Sequence, residues 1–232
     1  LHWAISSTPK LFYVIIEIDA KRVNYISFFQ VGEKMKITVS VLAAGESSRF
    51  KGEKLLHVYR EKTIIEHLLD KINKLNDNDS ISFQRVVITK PALLNFYQQK
   101  LPNNWSVINN ESYKEGMSTS LKLAVLEAVH NKADFLLLFL ADMPMIKQIT
   151  IYRVIEKALE SPEKIIRPYF NNQPGFPVAL PKALFEELTL LAGDVGAKPV
   201  IEKHKERLIK LECNDSGSIF DIDEDIWSMK EK

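Results

Sequence analysis

Ile37-Thr38-Val39-Ser40-Val41-Leu42 runs directly into Ala43-Ala44-Gly45-Glu46-Ser47-Ser48-Arg49-Phe50-Lys51-Gly52-Glu53-Lys54. The first part is a short β-branched, apolar run and reads as a buried strand that opens an α/β domain. The second part is the loop at its carboxyl end. Small residues at 43–45 let a ligand come close to the backbone, and backbone N–H groups in such a turn form an anion nest. Arg49 adds a forked cation and Lys54 a point charge. Together they suit a triphosphate. The segment is not a Walker P-loop, because the glycine-lysine-serine/threonine ending is absent. It is not the dinucleotide fingerprint, because the glycine spacing differs. The competing reading is an ordinary strand–loop turn with two solvated cations.

Outward from this segment, strand-like and helical patterns alternate. Strand-like runs fall at Arg85–Thr89, Trp105–Ile108, Phe135–Ala141 and Lys164–Arg167. Helical spacing links Ile64, Ile65, Leu68, Leu69, Ile72 and Leu75. It also links Leu121, Val125, Leu126 and Val129, and then Ile151, Val154, Ile155 and Leu159. Continuous apolar strands between helices predict a mostly parallel sheet covered on both faces, a three-layer α/β/α arrangement. Ligands of such sheets bind beyond the carboxyl ends of the strands, which directs attention to the residues after Leu42, Thr89, Ile108 and Ala141. Later come a proline-punctuated loop, a short strand at Pro177–Leu180, helices near Lys182–Leu191 and Val195–Lys203, and a strand near Leu208–Glu212. The acidic stretch from Asp221 to Trp227 is expected to start a last helix.

The 232 residues fit one large α/β domain, or one domain with an appendage, and the net charge is +1. A domain-wide nucleic-acid footprint would need a basic excess that is not present. No apolar run is long enough to span a bilayer, and Glu17 and Asp19 close to the first apolar run argue against a secretory signal. The single cysteine, Cys213, excludes an intramolecular disulfide and a cysteine zinc cluster. It reads as an inert, partly buried thiol. These features point to a cytoplasmic chain without a membrane or nucleic-acid partner. Residues 1–34 carry no motif and precede Met35, which looks like a natural start. They are expected to be an N-terminal extension to a domain covering 35–232.

Three further segments carry chemistry. Asp142, in Ala141-Asp142-Met143-Pro144, follows the most hydrophobic strand and offers the hard oxygen that Mg²⁺ prefers. It could instead cap a helix. Asp221 and Asp223 alternate onto one face and offer a possible second carboxylate, or simply an acidic helix start. Asn110 to Ser120 joins a strand to a helix, where hydroxyls and helix N–H groups can meet a phosphate or ribose. Plain capping by Ser118 or Ser120 is the alternative.

These residues together resemble the molybdenum cofactor nucleotidyltransferases, and most closely the cytidylyltransferase branch. That family's leading motif matches Ala43, Ala44, Gly45, Ser47, Arg49, Phe50 and Lys54. Its second matches Asn110, Tyr113, Gly116, Met117 and Ser120, and its Asp-Met-Pro matches Asp142, Met143 and Pro144. Its later elements resemble Arg167-Pro168, Pro174 to Pro177, Gly193 to Ala197, and Asp221 to Asp223. Two positions depart: Lys51 stands where glycine is usual and Gly52 follows, and Phe176 replaces a histidine.

The resemblance implies a Rossmann-like, GT-A-like nucleotidyltransferase fold with a mixed, mostly parallel sheet. It implies transfer of CMP from CTP to the terminal phosphate of molybdopterin, with Mg²⁺ as cofactor and release of pyrophosphate. A xanthine-dehydrogenase-like molybdoenzyme is the implied partner. Arg49, Lys54 and Asp142 are then the catalytic residues. Leu42, Ala43, Ala44, Gly45, Ser47, Thr89, Asn110, Gly116 and Ser120 join Arg49 and Lys54 in binding nucleotide. Arg167, Pro168, Gly175 and Asp194 bind the acceptor, and Asp142 and Asp223 hold the metal. The rival readings are a guanylyltransferase or sugar- or polyol-phosphate nucleotidyltransferase of the same fold, and a non-catalytic cofactor chaperone.

Overall fold

The computed structural model describes the backbone of residues 11–15 and 26–30, and residues 34–46 and 52–222 with their side chains. Ser47, Arg49 and Asp223 lie outside the described residues. Two short strands, β1 (Leu11–Ile15) and β2 (Ile26–Gln30), pair antiparallel in a two-stranded sheet of their own. The large sheet begins with β3 (Met35–Ala43). A small hairpin, β4 (Val58–Tyr59) and β5 (Lys62–Thr63), leads into α1 (Ile64–Asn73). Then follow β6 (Ile81–Thr89), α2 (Leu94–Lys100), β7 (Trp105–Asn109), α3 (Met117–His130), β8 (Phe135–Leu140) and α4 (Gln148–Glu160). The rest is β9 (Ile165–Phe170), β10 (Gln173–Pro174), β11 (Val178–Pro181), α5 (Phe185–Thr189), α6 (Lys198–Lys203) and β12 (Leu208–Glu212).

The strands run β7-β6-β3-β8-β11-β9 across an eight-stranded sheet, and β10 and β12 both pair with β9. β7, β6, β3 and β8 are parallel, β11 is antiparallel to β8 and to β9, and β12 is parallel to β9. The sheet is therefore mixed and mostly parallel, as expected. Register puts Ala43 opposite Thr89, Thr89 opposite Asn109, and Leu42 opposite Leu140. Four carboxyl ends thus finish at one edge.

Side chains of β3 alternate between two cores, as a pleated strand requires. Ile37, Val39, Val41 and Ala43 pack with α1, α2 and α4 on one face. Leu42 packs with α3, α5 and α6 on the other. Each fully buried Val, Leu or Ile contributes about 1.5–3 kcal/mol, so the central strand holds both outer layers. The α1 stripe is buried as the spacing predicts. Its first turn is fixed by Glu66, whose carboxylate accepts from the N–H and hydroxyl of Thr63 at 2.8 and 2.7 Å. Those bonds lower its pKa.

Several expectations need correction. On α3, Leu121 and Val125 are buried but Leu126 and Val129 are about half exposed, at 48% and 55%. Ala124 and Ala128 continue the buried face instead, because close packing on β3 and β6 favours small residues there. β8 ends at Leu140, and Ala141 already turns. Asp142 is no helix cap, since α4 begins after Lys147. α2 and the β4–β5 hairpin had no strong pattern and were not anticipated. The hairpin is closed by Arg60 and Glu61 at positive φ, 47° and 73°. Cys213 is partly buried, its thiol donates to the Tyr169 carbonyl at 3.3 Å, and burial raises its pKa.

Because β1 and β2 form a separate sheet, a chain beginning at Met35 is expected to keep the circular dichroism of a folded α/β domain and a single cooperative thermal transition. Insoluble or molten protein from that truncation would place residues 1–34 within the domain.

Candidate functional site

The carboxyl ends of β3 and β8, with the start of α3, frame a cleft of about 150 Å³. Leu42, Ala43, Ala44, Gly45, Lys54, Gly116, Ser120 and Asp142, all singled out from sequence, line it together. Ala43 and Ala44 are nearly fully buried, at 1% and 3%. Gly45 has no positive φ, and a Cβ placed there would meet nothing within 4 Å. Its backbone does not demand glycine, and the bare Cα leaves the cleft open above the strand end. Gly52, where the loop returns, does lie at φ 95°. The displaced glycine therefore serves a left-handed turn just before Glu53 and Lys54.

Lys54 and Asp142 meet across the cleft, with Nζ donating to Oδ2 at 2.9 Å. Their side chains are 13% and 27% exposed, so the pair is partly shielded and stronger than a surface pair. The loop that carries Asp142 is pinned from three sides. Lys71 of α1 donates to the Pro144 carbonyl at 2.7 Å, and burial lowers the pKa of its ammonium. Asp215 accepts from the Lys147 N–H at 2.9 Å and the Thr150 hydroxyl at 2.6 Å. The Ile222 N–H donates to the Asp142 carbonyl at 3.0 Å, which brings the Asp221-Ile222 segment beside Asp142.

On the opposite wall, Gly116 enters α3 at φ 111°. A Cβ there would lie 2.5 Å from the Gly193 carbonyl carbon, so only glycine permits the contact. Across it, the Gly193 carbonyl accepts from Ser118 N–H at 3.2 Å and Asp194 Oδ1 from Met117 N–H at 3.1 Å. Asp194, rather than Ser118 or Ser120, thus caps the first turn of α3. Asn110 is buried and donates from Nδ2 to Thr119 Oγ1 at 2.9 Å and Ser120 Oγ at 2.8 Å. It orients Ser120 from behind the cleft wall. Thr89 is fully buried outside the cleft lining, and its carbonyl accepts from Asn110 N–H at 2.7 Å.

Arg167, Pro168 and Gly175 form their own group away from this cleft. Arg167 Nε donates to the Gly175 carbonyl at 3.1 Å, and Gly175 N–H to the Pro168 carbonyl at 2.8 Å. The Arg167 guanidinium sits 5.6 Å from the Phe176 ring centroid, a cation–π contact, and burial lowers its pKa. Sequence reasoning did not assign Lys90, Glu53, Glu46, Leu55 or Leu140. Glu46, Leu55 and Leu140 line the cleft, and Lys90 pairs with Glu53 at 2.7 Å. A lysine directly after a buried strand's carboxyl end was the available signal for Lys90.

The donor set suits a metal that arrives on phosphates. Among the described residues no group of three or more His, Cys, Asp or Glu could cage an ion. Asp142 offers one hard carboxylate at the cleft, and Mg²⁺ is commonly held by one or two carboxylates plus substrate phosphates. Among the described residues no helix is long and apolar enough to cross a membrane.

A family model described as the MobA-like NTP transferase domain matches residues 39–208. The chain is 30% identical over 140 residues to the bifunctional protein GlmU of Clostridium beijerinckii, and 25% identical over 148 residues to that of Buchnera aphidicola. These stretches are 59% and 61% of this chain but 29% of each relative, so the chain spans under a third of the length of the curated relatives it matches. The crystal structure of Rv0371c from Mycobacterium tuberculosis is 25% identical with a TM-score of 0.72, covering 86% of this chain and 99% of that one. A manganese complex of that protein is matched at 24% identity and a TM-score of 0.69, over 86% of this chain and 100% of that one. A nucleotidyl transferase from Methanothermobacter thermautotroptrophicus shares the fold at 19% identity and a TM-score of 0.66, over 84% of this chain and 96% of that one.

Gly116→Ala is expected to push Gly193 away, release Asp194 from the start of α3, and destabilise the protein by about 1–3 kcal/mol in urea unfolding. An unchanged unfolding midpoint would show that the Gly116–Gly193 contact does not constrain the site.

Proposed function

The chain belongs to the MobA-like NTP transferase domain family, and we propose that it moves CMP from CTP to the terminal phosphate of molybdopterin or its molybdenum-loaded form. The observation that carries this reading is the Lys54–Asp142 pair facing the Ala43-Ala44-Gly45 turn across one cleft. Cation, carboxylate and open backbone stand together where a triphosphate and its metal would bind. The family supports nucleotidyl transfer as such. The acceptor and the base are our reading from the motif resemblance.

In the reaction an oxygen of the acceptor phosphate attacks the α-phosphorus of CTP. A new P–O bond forms, the α–β anhydride bond breaks, and pyrophosphate leaves with the electron pair. The attacking phosphate is already anionic, so no protein base is needed. Lys54 stabilises charge that builds on the departing pyrophosphate, with Arg49 proposed beside it. Asp142 would hold Mg²⁺, with Asp223 as the proposed second carboxylate. Bound there, the metal would neutralise phosphate charge and orient the α-phosphorus. Ser120, set by Asn110, faces the cleft as a hydroxyl for the nucleotide. Arg167, Pro168, Gly175 and Asp194 are proposed for the acceptor. Thr89 would act from below the base, through the Asn110 backbone. The xanthine-dehydrogenase-like partner and a cytoplasmic setting belong to the same proposal.

The base is proposed to be cytosine because Ala44, buried at the cleft floor, carries a methyl group that narrows the space under the base. A purine needs more room, and steric exclusion gives selectivity.

Two outcomes follow. Asp142→Ala is expected to abolish turnover with Mg²⁺ while circular dichroism shows a folded chain; near-normal turnover would remove Asp142 from the mechanism. In kcat/KM measurements with one acceptor, CTP is expected to exceed GTP, and Ala44→Gly to narrow the difference. Equal or better use of GTP by the unmodified protein would assign the chain to guanylyl transfer.

A further inference from the structure

We propose that Asp215 is a positioning residue that ties the Asp142 loop to the loop beside Arg167, so that the two sides of the site keep one fixed relation. Asp215 comes shortly after β12 and is 1% exposed. A carboxylate this deep is costly unless its oxygens are filled. Oδ2 accepts from the Lys147 N–H at 2.9 Å and the Thr150 hydroxyl at 2.6 Å. Oδ1 accepts from the Gly217 N–H at 3.0 Å. One oxygen thus serves the entry to α4, where the loop from Asp142 ends. The other serves the turn at 215–218. A helix start favours a nearby carboxylate, and α4 takes its carboxylate from a distant part of the chain.

That turn fills the space between two loops. On one side Gly217 lies against the Met145 carbonyl, and a Cβ there would collide with it. On the other side a Cβ on Gly175 would lie 2.5 Å from the Ser218 carbonyl oxygen. The same oxygen accepts from the Phe176 N–H at 2.7 Å. The Ser218 hydroxyl closes the turn on the Asp215 carbonyl at 2.8 Å, and the Gly175 carbonyl accepts from Arg167 Nε at 3.1 Å. A continuous line of contacts therefore runs from the Asp142 loop through Asp215 and Ser218 to Phe176, Gly175 and Arg167. Further on, the Ile222 N–H returns to the Asp142 carbonyl at 3.0 Å, so one segment holds the Asp142 loop at both ends. Plain capping of α4 would need only the Lys147 and Thr150 bonds. The close contacts at Gly217 and Gly175 carry the constraint on to the second loop. The catalytic consequence rests on the reading that nucleotide and metal bind at Asp142 and the acceptor at Arg167. In-line transfer then needs the two loops in register, and a misplacement of about 1 Å can cost about a hundredfold in rate.

Asp215→Asn, Thr150→Val and Thr150→Ser would be compared with the unmodified chain by amide hydrogen exchange without ligand. The same proteins would be compared in steady-state kinetics with CTP, Mg²⁺ and molybdopterin. The Thr150 variants keep Asp215 and serve the test if Asp215→Asn fails to fold. In Asp215→Asn and Thr150→Val the Phe176 and Ile222 amides are expected to exchange about tenfold faster. The Asn110 amide, bonded to the Thr89 carbonyl of β6, is expected to keep its rate. kcat is expected to fall about a hundredfold in Asp215→Asn and about tenfold in Thr150→Val, with KM for CTP within about threefold, because the Ala43–Gly45 wall is untouched. Thr150→Ser keeps the hydroxyl and is expected to behave as the unmodified chain. Equal acceleration of all three amides would reduce Asp215 to a general source of stability, and unchanged Phe176 exchange in folded variants would break the link. Either result overturns the proposal, as does a raised KM for CTP with unchanged kcat. If the unmodified chain gives no turnover yet the exchange pattern appears, the transfer reading falls and the tie between the loops stands.

Discussion

The Lys54–Asp142 ion pair joins the returning arm of the glycine loop to the end of β8, and the site is arranged around it. The two residues are far apart in sequence. They meet because β3 and β8 are parallel neighbours whose ends are in register at Leu42 and Leu140. A partly shielded pair of this kind is a weak source of net stability, because desolvation offsets much of the Coulomb gain. It has a clearer role in geometry. It holds a cation and a carboxylate within one small cleft, so that under the proposed function an incoming anion and its metal would find complementary charge in place. The layers beneath serve that placement: β3 packs on helices at both faces, and the Asp142 loop is tied to Lys71, Asp215 and Ile222.

Much of this was legible in sequence because buried parallel strands are written as continuous apolar runs. Ile37 to Leu42 and, one residue too long, Phe135 to Ala141 could be placed from that signal alone, and with them the two loops that hold Lys54 and Asp142. The α1 stripe was equally clear. Features set by tertiary packing were not. Leu126 and Val129 have the spacing of a core face but point outward, because alanines at 124 and 128 make the closer fit to the sheet. The place of Lys90 after a strand end is visible in sequence, but its burial depends on Glu53 and Gly45 being brought to it. The capping role of Asp194 depends on a contact between Gly116 and Gly193 that no periodicity encodes.

The two departures from the resembled motifs have different weight. Gly52, one position after the family's usual glycine, lies in a left-handed turn, and Lys54 reaches Asp142. The Lys54–Asp142 contact is therefore compatible with the moved glycine. Phe176 changes the chemistry of its surroundings: an aromatic face lies against the Arg167 guanidinium, where a histidine would have offered a ring nitrogen. A group that recognises the acceptor through Arg167 would meet a cation backed by a ring and desolvated by burial.

Phosphorus NMR of the purified chain mixed with molybdopterin, CTP and Mg²⁺ tests the central claim most directly. Nucleotidyl transfer predicts that the α-phosphorus resonance of CTP is lost as two products appear together, free pyrophosphate and a new diphosphate bridge joining CMP to the acceptor, and that neither forms without acceptor. An unchanged spectrum from folded protein, or release of inorganic phosphate alone, would contradict it.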